Sequence, residues 1–460
     1  MKPAVSETER RDEMLTRPIP RIVAKLAFPA VVTQLITLIY NTADTYFVSQ
    51  INKSASAAVG ATFAVMSLIH AVGFGYAMGA SSLCSRNLGA NKKNDAEVYA
   101  NSAFAGAILS GVFLCALGLS LLRPILQLVG CSETMLPYAK SYATWILIAA
   151  PLLCGTFVLN NILRSEGQAA YSMIGTVSGG FLNMALDPLF IFKFNMGTAG
   201  AALATAIGMG VSFLVLLVRY LSGRTIIKLS LQKISRKPKT YWQVLSTGFP
   251  TICRQGWASL ATAALSNMAV GYGDAAVAAM SIAGKCYMLA RNIVLGVGQG
   301  FQPVAGYNFG AKQYDRTKKA FWFSTAVGSV FCLAMCGVFL LLARQIMGLF
   351  IGDEEVIAFG SAALRFCGMV LPVLAFSTYV NQLYQSLGFK WQATLLASLR
   401  QGIFFLPIVL LLPRVVGEIG VQAAQPLSDF LTFLVSVPFL IVFLKKHLKE
   451  PDQTKKSPHR

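Results

Sequence analysis

The chain has 460 residues, 55% of them hydrophobic and 13% charged, with a formal charge of +20. This is too apolar for a soluble globule of that size, and it points to a polytopic membrane protein. The basic balance invites a nucleic-acid reading, but the placement of the cations along the chain argues for membrane topology instead.

The chain opens with a mixed-charge stretch, SETERRDEMLTR, which lacks the apolar core of a signal peptide. Residues 1–20 read as a cytoplasmic tail. Apolar windows then predict twelve membrane spans, at about 21–47, 56–84, 97–121, 138–163, 169–193 and 198–221, then 242–271, 276–301, 318–343, 357–385, 391–412 and 419–444. The first six make an N-lobe (21–221) and the last six a C-lobe (242–444). A basic linker (222–241) joins them, and a basic tail (445–460) follows.

If the N-terminus is cytoplasmic, 28 of the 39 Lys and Arg fall in cytoplasmic segments and 6 in outside loops. This is the positive-inside pattern, and it puts both termini in the cytoplasm. The nine Cys show no CxxC spacing and the three His are isolated. They read as buried thiols and lone side chains rather than a disulfide framework or a metal cluster.

In the first span, LAFPAVVTQLITLIYNTADTYFVSQ, Asp44 sits near the end of an apolar run. A carboxylate at membrane depth costs about 2.5–3.5 kcal/mol on insertion scales, so it calls for a functional reason. The fifth span, FLNMALDPLFIF, holds a second acid, Asp187, followed by Pro188.

The two halves repeat. At a shift of 221 residues, Phe28-Pro29 falls on Phe249-Pro250, Gln34 on Gln255, Gly75 on Gly296, Gly79 on Gly300, Asn160 on Asn381 and Gly167 on Gly388. GTAG (197–200) meets GEIG (417–420) at a shift of 220. Six spans per copy give both copies the same orientation, related by a pseudo-two-fold axis along the membrane normal. The fold class is thus all-α and polytopic, in two like-oriented six-helix lobes. The glycines at 73–79 and 296–300 would suggest a nucleotide loop in a soluble protein; within apolar spans they suggest close helix packing.

Residues that break the repeat are candidates for function. Asp44 falls on Leu265, Asp187 on Ile408, Asn183 on Phe404 and Asn41 on Thr262. Asn41 and Asp44 are spaced i,i+3, and Asn183 and Asp187 i,i+4, so each pair shares a helix face. Pro188 weakens the backbone ladder beside Asp187. With a hydroxyl from Thr205, these residues make an oxygen-rich pocket for a monovalent cation or a proton. Asp44 and Asp187 would be the Na+ ligands if sodium is the ion. In the C-lobe the departures are basic: Arg254, Lys285, Arg291, Arg365 and Arg400. Either they pair with lipid headgroups or structural acids such as Asp429, or they line the cleft and favour anionic groups.

The stretches FPAVVTQLITLIYNTADTYFVSQ (28–50), SRNLGANKKNDA (85–96), LRSEGQ (163–168), LNMALDPLFIFKFNMGTAGAALAT (182–205) and GQGFQPVAGYNFGAKQYDR (298–316) resemble the MATE family of multidrug and toxic-compound extrusion antiporters, in its bacterial sodium- or proton-driven branch. The likeness spans about residues 18–445. It implies twelve helices in two lobes, no ATP-binding subunit, and an N-lobe cation site at Asp44, Asn183, Asp187 and Thr205. Asn160 matches a further polar residue of that cavity. The acid that some relatives carry in the seventh helix is missing here, where FPTICRQGWASL has Arg254 and Gln255. Gln34, Asn41, Asn160, Arg254, Gln255 and Lys285 are therefore the cavity-lining candidates.

The implied function is secondary export of amphipathic small molecules coupled to inward Na+ or H+. The alternative is a flippase for a lipid-linked or anionic precursor. No HExxH, GxSxG or nucleotide loop in a strand–helix context suggests an enzyme. The remaining expectations are no cofactor beyond the coupling ion, lipids and small substrates as partners, no nucleic acid, a monomer, and a place in the bacterial cytoplasmic membrane.

Overall fold

The computed structural model describes residues 7–447. The N-terminal segment expected as a tail contains a helix, α1 (Glu7–Thr16). The N-lobe follows as α2 (Ile19–Ser49), α3 (Lys53–Gly89), α4 (Lys93–Ser120) with the short α5 (Leu122–Leu128), α6 (Leu136–Ser165), α7 (Ala169–Pro188) and α8 (Gly197–Leu221). The C-lobe is built from α9 (Pro238–Val270), α10 (Asp274–Gly310), α11 (Tyr314–Gly348), α12 (Glu354–Leu387), α13 (Lys390–Ser398) with α14 (Phe405–Val416), and α15 (Glu418–His447). Counting α13 and α14 as one span, these make twelve spans in two lobes. Most of the expected basic C-terminal tail lies outside the described residues.

Ten of the spans are long and apolar enough to cross a membrane on those grounds alone. The other two are α9 and α10, of 33 and 37 residues, which carry Arg254 and the pair Lys285 and Arg291. Both of these helices pack against the N-lobe, through α2 and α3. Large apolar side chains elsewhere point outward, as a lipid-facing surface requires. Trp242 and Trp391 are 71% and 83% exposed and stand at the starts of α9 and α13, where indole rings anchor a helix end at the membrane interface.

The helix ends follow local chemistry. The Asn52 side chain accepts from the Ala55 amide at 2.7 Å and starts α3. Asp353 accepts from the amides of Glu355 and Val356 and starts α12. The repeat is visible in the turns. Gly167 and Gly388 both take positive φ after α6 and α12, and so do Asn91 and Lys312 after α3 and α10. Each pair is 221 residues apart. The π-turns break the symmetry: one spans Leu189–Lys193 after Pro188, the other Leu399–Ile403 between α13 and α14.

The lobes meet through α2 against α10 and α3 against α9. The contact is tight only toward one end, the end that carries the basic connections. There the Gly75 carbonyl lies so near Gly248 that a Cβ on the latter would sit 1.8 Å from it. Ser82 Oγ donates across the seam to the carbonyls of Gln385 and Ser386 at 2.9 and 3.0 Å, and Arg86 donates to the Leu387 carbonyl at 3.1 Å. Helix α1 lies under this closure. Arg11 donates to the Gly89 carbonyl of the N-lobe at 3.2 Å, and Asn308 of the C-lobe donates to the Met14 carbonyl at 3.3 Å.

The connection from α8 to α9 is fastened to the N-lobe. Glu166 accepts from the amides of Ile226 and Ile227, both at 2.9 Å. Asn101 accepts from Ser230 at 2.8 Å, and Ser102 from Ser235 at 2.9 Å.

Candidate functional site

Two polar centres lie between the helices, one inside the N-lobe and one between the lobes. In the first, Asp187 is fully buried near the end of α7, and Asn183 and Thr205 are buried beside it. Helices α7 and α8 can bring them together because Gly179 and Gly208 face each other: a Cβ on Gly179 would lie 2.2 Å from the Gly208 carbonyl oxygen. Asn183 Nδ2 donates to Asp187 Oδ1 at 3.3 Å and to Thr205 Oγ1 at 3.2 Å. Asp44, from α2, points inward and accepts from the Tyr142 hydroxyl of α6 at 3.4 Å. Asp44 and Asp187 are within electrostatic reach of each other.

Asp44 Oδ1, Asn183 Oδ1 and Asp187 Oδ2 are buried and have no hydrogen-bond partner. Three orphaned acceptors in one place are costly, and a cation or an added proton would satisfy them. The donor set consists of oxygens only, which suits a hard cation. Among the described residues, no group of three or more His, Cys, Asp or Glu could hold a metal. Two carboxylates with neutral oxygens can take up a hard cation or a proton.

The second centre is a cavity of about 300 Å³ between the lobes. Gln34, Asn41, Asn160, Arg254 and Gln255 line it, as do Asn183 and Thr205 of the first centre. The cavity therefore shares a wall with the ion cluster, while the two carboxylates stay behind that wall. Asn160 donates to the Ser172 carbonyl at 2.9 Å and to Thr176 Oγ1 at 2.8 Å, which fixes its amide.

Lys285 does not join them. It is exposed and is not part of the cavity lining. Arg291, six residues on, is the cation of α10 that faces the cavity. Two positions six apart lie about 120° from each other around a helix, so they point to different sides of it. Arg400 is paired: it donates to Asp429 Oδ1 at 2.5 Å and to the Tyr287 hydroxyl at 2.8 Å. Arg365 is exposed.

Sequence reasoning missed Arg164 and Tyr142 as site residues. Arg164 lies in the LRSEGQ stretch and counts as a loop cation by position. In the structure it is buried, donates to Asn160 Oδ1 at 2.6 Å and to Ser172 Oγ at 3.0 Å, and reaches Gln299 across the lobe boundary. No spacing rule marks Tyr142; its role appears only in the fold, where its hydroxyl reaches Asp44 of α2 from α6.

The MatE family model matches the chain twice, at residues 29–189 and 250–410, offset by the same 221 residues as the internal repeat. The multidrug export protein MepA of Staphylococcus aureus is 23% identical over 428 residues, covering 93% of this chain and 94% of MepA. A crystal structure of MATE in complex with MaL6 aligns with a TM-score of 0.90 at 25% identity, covering 97% of this chain and 100% of that one. The outward-facing conformation of a multidrug resistance MATE family transporter of the MOP superfamily aligns with a TM-score of 0.89, also at 25% identity, covering 97% and 99%.

Proposed function

The chain belongs to the MatE family, and from that premise we propose that it is a secondary antiporter that exports amphipathic small molecules in exchange for Na+ or H+ moving inward. The observation that carries this reading is the buried cluster of Asp44, Asp187, Asn183 and Thr205, with its three unsatisfied oxygens, set directly behind the wall of the interlobe cavity. An ion or proton bound there would alter the packing of α2, α7 and α8. Asn41, Asn183 and Thr205 lie on those helices and also line the cavity, so ion and substrate would compete for one conformational equilibrium.

The seal at one end of the lobe contact, with the cavity beyond it, supports alternating access. The sealed end carries the basic connections, so it is the cytoplasmic end by the positive-inside rule, and both termini lie on that side. The state is then outward-facing. The setting is the bacterial cytoplasmic membrane, and a monomer suffices, without an ATPase subunit or nucleic acid. Energy comes from the ion gradient, so the protein is not an enzyme. The whole-chain likeness to multidrug exporters favours this reading over a precursor flippase.

The test is dye efflux from proteoliposomes under an imposed sodium gradient and, separately, an imposed proton gradient, with wild type beside Asp44→Asn. One gradient should drive efflux by wild type and not by the variant. Equal efflux with neither gradient applied would contradict antiport.

A further inference from the structure

The cavity itself points to the charge of its cargo. Among the described residues, no Asp or Glu lines it, whereas Arg164, Arg254 and Arg291 do. Arg164 is held by neutral partners, Asn160, Ser172 and Gln299. The carboxylate nearest the C-lobe arginines, Asp429, is already taken: it binds Arg400 at 2.5 Å and accepts from Gln425 at 3.0 Å and from Tyr287. Neither Arg254 nor Arg291 forms an ion pair among the described residues, although Asp429 lies within electrostatic reach of Arg291, and Arg291 Nε is buried with no hydrogen-bond partner. These two guanidiniums and that of Arg400 are within electrostatic reach of one another. One carboxylate for three guanidiniums leaves net positive charge beside the cavity, and Arg254 and Arg291 are the two of the three that line it.

Part of the lining is apolar. Phe74 stacks on Phe157 with ring centroids 4.0 Å apart, and both rings line the cavity together with Met66, Met78 and Met209. Flat rings and polarizable thioethers accept aromatic or alicyclic bodies of varied shape.

We propose that the cavity selects amphipathic organic anions over organic cations, with a carboxylate or sulfonate held by Arg254 and Arg291 and the apolar body against Phe74 and Phe157. Two oxygens of a carboxylate or sulfonate can take paired hydrogen bonds from a guanidinium, which a cationic ligand cannot. This rests on the export reading above and narrows its substrate class. The ion cluster would then be the acidic centre of the molecule and the cargo cavity the basic one, kept apart by the wall that Asn183 and Thr205 share.

Fluorescein and rhodamine 123 offer a matched pair, since both are xanthenes of similar shape with opposite charge at neutral pH. Binding is read by fluorescence polarization to the full chain in an uncharged detergent, and efflux from proteoliposomes under an ion gradient. Wild type should bind fluorescein about tenfold or more tightly than rhodamine 123. Arg254→Gln with Arg291→Gln should erase that preference, and the double Lys variant should restore part of it. An unchanged gel-filtration profile would show that the variants fold. Tighter binding of rhodamine 123, or of neither dye, would overturn the proposal, as would a preference that survives the double Gln variant. Displacement of fluorescein by short-chain phosphatidylglycerol with no fluorescein efflux would assign the site to lipid headgroups and overturn it as well. Gradient-driven rhodamine efflux without fluorescein binding would sink the anion proposal alone and keep antiport; fluorescein binding without gradient-driven efflux of either dye would sink antiport alone.

Discussion

Asp44 and Asp187 reach the same buried space from two different helices, α2 and α7, and each leaves one carboxylate oxygen without a hydrogen-bond partner. Two acids cannot both stay ionised at close range in low dielectric without a cation or a shared proton. Changing either to Asn keeps the volume and removes that demand. Asp44→Asn and Asp187→Asn should each cut gradient-driven efflux by about tenfold or more. Yield after membrane extraction should be unchanged, because a buried charge has been removed rather than stranded. Proteoliposome transport and gel filtration on the same preparations check both halves of this.

Gly248 sets how closely the lobes approach at the sealed end. The atom a Cβ there would meet is the Gly75 backbone carbonyl oxygen, which no rotamer change can move. Gly248→Ala should destabilise the sealed state by about 1–3 kcal/mol. The expected signs are a lower Tm and faster maleimide labelling of Ser82→Cys, a position now only 5% exposed.

Helix α1 bridges both lobes at that end through Arg11 to Gly89 and Asn308 to Met14. It must release one lobe before the seam opens. Removing residues 1–16 should therefore shift the population toward the state open on the basic face. Distances between spin labels on α3 and α10 should lengthen at that end, and labelling of Ser82→Cys should rise without the loss of Tm expected for Gly248→Ala.

Glu166 ties the interlobe connection to the N-lobe just past the end of α6. Burial pushes its carboxyl up from 4.5 to about 7, against the lowering effect of the amides of Ile227 and Ile226 and the Gln168 side chain. A folded-state value above the unfolded one means that the folded state binds the proton more tightly, so stability falls as pH rises between those two values. Glu166→Gln should flatten the Tm profile between about pH 4.5 and 7. A profile with the same slope in the variant would show that another group is responsible.

Much of this was legible in the chain, for physical reasons. The spans were readable because lipid demands long apolar runs, and the duplication because Pro, Gln, Gly and Asn fall in register at a fixed offset. Asp44 and Asp187 stood out as carboxylates where lipid should be. Arg254 was readable by the same logic. Lys285 and Arg291 were not separable, because the phase of α10 is set by the face it packs on α2, and apolar residues surround it on every side. Arg164 was hidden by its position at a helix end, where a cation ordinarily meets water. Pairing with Asp429 was among the readings for the C-lobe cations, and Arg400 is the one that makes it; Tyr142 needed the fold, because its partner lies on another helix, distant in sequence.

The most direct test of ion-coupled export is to watch the ion when the substrate leaves. Proteoliposomes would carry a sodium-sensitive or pH-sensitive dye on the side the ion enters, and transport would be started by adding substrate rather than by imposing an ion gradient. The account predicts a substrate-dependent influx of one ion that wild type shows and that Asp44→Asn and Asp187→Asn both lose. Substrate movement with no flux of either ion, or ion flux that persists in both variants, would contradict it.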